Sequence, residues 1–156
     1  MPIDDATFKA AMSHFVSGVT VVTTEHDGKP YGMTVASFAS LSLHPPLVLV
    51  CIEKNVKSHD AIAAAGKFGV SILGQEQAEV SNRCASRVED KFANLPTRRG
   101  ELGFPLIDGA ICTLECRLHE QLPGGDHTIF VGEVLHATTG DGAPLVYFRS
   151  GYRQLT

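Results

Sequence analysis

Extended segments in this chain follow one another through turns and seldom through helices, and that succession constrains the fold more than any other feature. Val19 to Glu25 is a β-branched run, His26-Asp27-Gly28-Lys29 is a turn signal, and Tyr31 to Ala36 resumes the extended pattern, which predicts a hairpin. Ala110, Cys112, Leu114, Cys116 and Leu118 alternate with Thr113, Glu115, Arg117 and His119, the pattern of a half-buried antiparallel strand. Leu122-Pro123-Gly124-Gly125-Asp126 then makes a turn, and His127 to Thr138 returns as the partner strand. Asp141-Gly142 turns once more into a short strand at Leu145 to Phe148. Parallel βαβ units need a crossover between successive strands, so a doubly wound sheet is not expected. The expectation is a mainly β fold, a small antiparallel barrel with flanking helices, in one domain over residues 1–156.

Leu47-Val48-Leu49-Val50-Cys51-Ile52, launched by Pro45-Pro46, is apolar at every position, which predicts a strand buried on both faces. It is the longest apolar run and falls far short of the roughly 20 residues of a membrane span. Phe8, Met12, Phe15 and Val16 recur at helical spacing behind Asp4, which predicts an amphipathic helix ending near Gly18. Ser58 is placed to cap an Ala-rich helix closed by Gly66, with a strand from Phe68 to Leu73 after it. A second polar helix is expected from Gln75 to Arg87.

The 156 residues are 44% hydrophobic and 19% charged, which suits one globular domain. Thirteen Lys and Arg against seventeen Asp and Glu give a net charge of −4 with no run of like charges, which argues against nucleic acid as a partner. The start Met1-Pro2-Ile3-Asp4-Asp5 lacks the order of a secretory signal, so a cytoplasmic protein is expected. Cys51, Cys84, Cys112 and Cys116 form no CxxC pair. Cys112 and Cys116 share a strand face but lie about 13 Å apart, which leaves free thiols.

There is no GxGxxG after a strand, no GxxxxGK[ST], no HExxH and no GxSxG. No histidine stands two or four residues from another histidine or a cysteine, so no metal site is expected. Small and hydroxyl residues run from Gly32 to Ser42 through what should be strand, where a flat ring could approach the backbone. Solvent-facing Ser and Thr on an antiparallel sheet leave the same pattern. Lys54, Lys57 and Ser58 converge at a helix start, either as a phosphate cradle or as an ordinary solvated helix end. Arg83 and Arg87, one helical turn apart, either reach the same anion or face solvent. His127, in a turn after Gly125-Asp126, sits at the rim of the barrel.

In order and spacing, these segments resemble the flavin reductase-like family with the FMN-binding split-barrel fold, especially the small reductase components of two-component flavin monooxygenases. The resemblance is carried by Phe15-Val16-Ser17-Gly18-Val19-Thr20-Val21-Val22-Thr23, by Gly32-Met33-Thr34-Val35-Ala36-Ser37-Phe38, and by Ser40-Leu41-Ser42-Leu43-His44-Pro45-Pro46-Leu47-Val48. Lys57-Ser58-His59, Gly125-Asp126-His127 with Phe130-Val131-Gly132-Glu133-Val134, and Leu145 to Arg153 extend it over nearly the whole chain. Val35-Ala36 stands where the family more often has Asn-Ala, and His44 where an acidic residue often precedes the prolines.

The resemblance implies an antiparallel split barrel and a homodimeric NAD(P)H:flavin oxidoreductase that uses NADH or NADPH, reduces FMN or FAD, and supplies a separate monooxygenase. It implies that Gly32, Met33, Thr34, Val35, Ala36, Ser37 and Ser40 face the isoalloxazine and ribityl chain. Cys51, Ile52, Lys54, Ser58 and His59 would surround the phosphate, with Arg83 and Arg87 closing over it. His127 would contact the nicotinamide dinucleotide, and Tyr147, Phe148, Arg149 and Ser150 would help to hold it. Hydride transfer between flat rings needs alignment and shielding more than an acid or base, so the lack of a catalytic triad is consistent with it. The alternative is a flavin-binding barrel that stores or senses flavin without turnover, and a third reading is a barrel used only for assembly.

Overall fold

In the computed structural model, which describes residues 1–156, helix α1 (Asp5–Met12) leads into the short β1 (Ser17–Gly18) and then a hairpin of β2 (Thr20–His26) and β3 (Lys29–Val35). The chain continues through β4 (Phe38–Ser42), β5 (Leu47–Glu53), α2 (Lys57–Ala65), β6 (Lys67–Ile72) and α3 (Ala78–Ala85). A small hairpin of β7 (Thr97–Arg99) and β8 (Pro105–Ile107) precedes the long ribbon of β9 (Cys112–Gly124) and β10 (His127–Thr139). The chain closes with β11 (Val146–Phe148) and β12 (Gly151–Arg153). Seven strands form one antiparallel sheet in the order β3-β2-β6-β9-β10-β5-β4. Its edges, β3 and β4, are consecutive in the chain, joined only by Ala36 and Ser37, so the sheet has to curl until the two edges meet. The result is a split barrel, open where β3 hands over to β4.

The hairpin follows from its turn: Asp27 and Gly28 take φ of 51° and 75°, the left-handed pair that matches the twist of the flanking strands. Inside the barrel, Val22, Val50, Ile52, Phe68 and Phe130 pack with Val35 and Ile62 from α2. Each large apolar side chain buried there contributes about 1.5–3 kcal/mol. A second core, with Val21, Leu73, Cys84, Ile107 and Leu145, lies under α3. β11 pairs with β1, Ser17 opposite Tyr147, and thereby straps the C-terminus across the N-terminal segment. Gly66 closes α2 in the left-handed conformation, as its position predicts.

Four local expectations are corrected. The N-terminal helix stops at Met12, and Phe8, Met12, Phe15 and Val16 all remain exposed, Phe15 at 80%. Their helical spacing therefore describes an unpartnered apolar surface and no core face. Val56 occupies the cap position of α2, and Ser58 is a buried residue in its first turn, two positions after the cap. α3 ends at Ala85, so Arg87 is not on the helix and shares no face with Arg83. On β9 the polar members Thr113 and Glu115 are buried, Glu115 at 5%, because residues 97–107 fold over that face. Arg98 donates to the Thr113 hydroxyl and the Leu102 N–H to Glu115, so hydrogen bonds offset the burial.

Candidate functional site

A cavity of about 580 Å³ opens at the split. One wall is Ala36, Ser37, Phe38 and Ala39 with Leu49 and Cys51 of β5, and the other is Phe15 to Thr20, with Ile72 also lining it. Backbone pairing fixes the first wall, since the Cys51 N–H donates to the Ser37 carbonyl and the Ser37 hydroxyl to the Cys51 carbonyl. The lining is mainly apolar with hydroxyls of Ser17, Thr20 and Ser37 among it, and the volume lies in the range of small-molecule sites.

Strand geometry sorts the expected site residues into two sets. Adjacent residues of a strand point to opposite faces, so Cys51 and Ile52 cannot both face one ligand. Ile52 is wholly buried in the barrel core, whereas Cys51 lines the cavity. On β3 the same rule sends Met33 and Val35 toward the core. Gly32 and Thr34 lie on the opposite face: a Cβ on Gly32 would meet the ring of Phe92, and the Thr34 hydroxyl donates to the Ser81 carbonyl beneath α3. Of the stretch Gly32 to Ser37, only Ala36 and Ser37 reach the cavity. Ser40 is exposed on β4, opposite Val48.

β5 carries the cavity face onward to a polar end. His127 pairs with Glu53, and Ile129 with Cys51, so His127 stands on the same face about 7 Å along the strand. Its Nδ1–H donates to the Asp126 carboxylate at 2.7 Å, which with the nearby Lys54 holds that carboxyl below its usual range. The Lys54 N–H donates to the Asp126 carbonyl, and the Lys54 ammonium is exposed. Lys57 lines a separate hollow with His26, Tyr31 and Asp60, so the two lysines do not form one cradle. His59 has both ring nitrogens engaged, Nδ1 with Asp60 at 2.9 Å and Nε2 with the Thr128 hydroxyl at 2.7 Å.

Arg83 donates to the carbonyls of Asp90 and Lys91, and the Lys91 ammonium to those of Gly32 and Cys84. Burial lowers the Lys91 pKa. Arg83 thus braces the loop after α3, while Arg87 is exposed. Tyr147 stacks edge-on with Tyr152, and Phe148 with His14, while the Arg149 N–H donates to the Ser13 carbonyl. Tyr147 to Ser150 therefore buttress the segment that walls the cavity and are not among its lining residues. Sequence reasoning missed the lining role of residues 15–20, Phe38, Ala39, Leu49 and Ile72, whose apolar members hydrophobicity alone does not separate from core. No group of three or more His, Cys, Asp or Glu side chains is arranged to hold a metal ion.

Residues 12–156 match a family model described as a flavin reductase like domain. The chain is 42% identical over 151 residues to the reductase component of 4-nitrophenol 4-monooxygenase/4-nitrocatechol 2-monooxygenase of Rhodococcus opacus, covering 97% of this chain and 81% of that protein. A nitrilotriacetate monooxygenase component B homologue from Mycobacterium thermoresistibile superposes with a TM-score of 0.95 at 41% identity, over 98% of this chain and 87% of that one. An NADH:FAD oxidoreductase of Streptomyces globisporus, solved with NAD and FAD fragments, superposes with a TM-score of 0.94 at 37% identity, over 100% of this chain and 97% of that one.

Proposed function

The chain belongs to the flavin reductase-like family, and on that premise we propose that it is an NAD(P)H-dependent flavin reductase that passes reduced FMN or FAD to a separate flavin-dependent monooxygenase. The observation that carries this reading is the cavity of about 580 Å³ at the split, mainly apolar in its lining, with His127 on the same sheet face farther along β5. Such a slot fits a planar aromatic ring whose apolar body needs contact and whose edge needs hydrogen bonds. A bound flavin would supply the hydride acceptor and a reduced nicotinamide dinucleotide the donor.

The chain's own groups then hold and align. Ala36, Ser37 and Cys51 would bear on the ring, with Phe15 and Val16 excluding water from its other side. Lys54 would meet phosphate as an exposed ammonium, and His127, turned by Asp126 so that Nε2 is free, would meet the dinucleotide. No side chain in this arrangement is required to move a proton for hydride transfer, so binding geometry has to provide the rate.

The reading includes a homodimer, supported by the exposed apolar side chains Phe8, Met12, Phe15, Val16, Leu41 and Leu43, of which Phe15 and Val16 line the cavity. It also includes a cytoplasmic setting, supported by four free thiols. The test follows absorbance at the nicotinamide band with NADH or NADPH and with FMN, FAD or riboflavin added singly. Oxidation that requires added flavin is expected, and the preferred pair identifies both substrates. Flavin binding without turnover would replace the reading by a flavin-binding module, and no flavin binding would overturn it.

A further inference from the structure

We propose that His59 and Thr128 are positioning residues for His127: the hydrogen-bonded chain Asp60–His59–Thr128 clamps the start of β10 to α2 and so sets the place of the imidazole. The proposal rests on the reductase reading and deepens it at one residue. Thr128 is 8% exposed and follows His127 directly, so the two side chains leave opposite faces of the same strand. On the inner face the Thr128 hydroxyl lies 2.7 Å from His59 Nε2, and the His59 ring rests edge-on against Phe130 with centroids 5.1 Å apart. Asp60 accepts from Nδ1–H at 2.9 Å, which in the neutral ring leaves Nε2 to accept the Thr128 O–H.

This end of β10 needs such an anchor. The ribbon turns at Gly125, with φ of 66°, and Gly124 through Asp126 are exposed, so few packing contacts hold the tip. On the outer face His127 has only the exposed Asp126 carboxylate as a hydrogen-bond partner. The inner-face bond to α2 is therefore the buried half of the side-chain support, and it ties to α2 a strand whose register backbone pairing with β5 and β9 already holds. It also explains why His59 does not present a free ring nitrogen to an anion: both are spent on the clamp.

The test compares Thr128→Val, which keeps the shape and loses the hydroxyl, with Thr128→Ser, which keeps the hydroxyl, and with His59→Ala, each in the full-length protein. Three readouts are taken: kcat and KM for the dinucleotide, NAD⁺ affinity by calorimetry alongside flavin affinity by fluorescence quenching, and the histidine ring-nitrogen NMR spectrum of the unliganded protein. Thr128→Val and His59→Ala should each weaken dinucleotide binding about fivefold, the weight of one hydrogen bond, with flavin affinity kept and Thr128→Ser near normal. The His127 ring signals should shift or broaden in Thr128→Val. In a His127→Ala background, Thr128→Val should add no further loss. Equal losses with and without His127, a parallel loss of flavin affinity, or unchanged NAD⁺ affinity would each overturn the proposal. Should the wild type show no flavin-dependent turnover, the functional reading fails, and unaltered His127 signals in Thr128→Val would still refute the clamp by themselves.

Discussion

Neighbouring residues Cys51 and Ile52 give the sharpest check on the site, because the fold assigns one to the cavity and the other to the core. Ile52→Val removes one methylene from a wholly buried side chain, which costs about 1 kcal/mol. With 156 residues and about 2.1 cal/mol/K of unfolding entropy per residue, 1 kcal/mol corresponds to a fall in Tm of about 3 °C. Flavin affinity should not change, since nothing on the cavity side has moved. Cys51→Phe places a ring in the cavity wall opposite residues 15–20, and overcrowding of about 1–3 kcal/mol there translates into flavin binding weaker by about tenfold or more. Its Tm should stay close to that of the wild type, because the new ring enters open space. Thermal melts and fluorescence quenching on the two variants read both axes. Flavin binding that falls in Ile52→Val as far as in Cys51→Phe would refute the assignment of faces. Full affinity in Cys51→Phe would show that flavin binds elsewhere.

Two further outcomes follow from the backbone and the thiols. Arg149 and Ser150 form the two-residue turn between β11 and β12 with φ of 49° and 63°, a left-handed pair held by residues that pay for it sterically. Replacing them with Asn-Gly should stabilise the protein by about 1–2 kcal/mol, seen as a higher urea midpoint, and no gain would mean that the turn is not under strain. Burial, helped by Glu115, pushes the Cys116 thiol up to about 12. A group whose folded pKa is raised contributes stability below its unfolded value and loses it as pH climbs, so Cys116 should erode stability progressively from about pH 9 toward 12. Urea midpoints across that window should fall less steeply in Cys116→Ala, and identical slopes would refute the assignment.

What the chain's residues disclose depends on how far the determining contact lies along the sequence. The hairpin at Asp27-Gly28, the apolar strand at residues 47–52 and the β9–β10 ribbon were legible because turn chemistry and period-2 alternation are local. The succession of strands through turns points to a barrel, the family likeness to a split one, and closure reduces to one local fact: two residues separate β3 from β4 while the sheet order sets them at opposite edges. The failures share a cause. Thr113 and Glu115 read as the wet face of β9 because nothing near them shows that residues 97–107 fold back over it. Phe8, Met12, Phe15 and Val16 read as a core stripe because helical spacing records a hydrophobic demand without naming who meets it. At Ile52 the same limit holds, because a contiguous stretch reads as one surface although a strand divides its side chains between two faces. Contiguity is a sound guide to a ligand only at Ala36-Ser37, where the chain leaves one edge strand for the other and both residues turn to the split. That is also why the cavity forms there: a barrel closed by a connector and not by a hydrogen-bonded ladder has one seam along which a flat ligand can enter without breaking strand pairing.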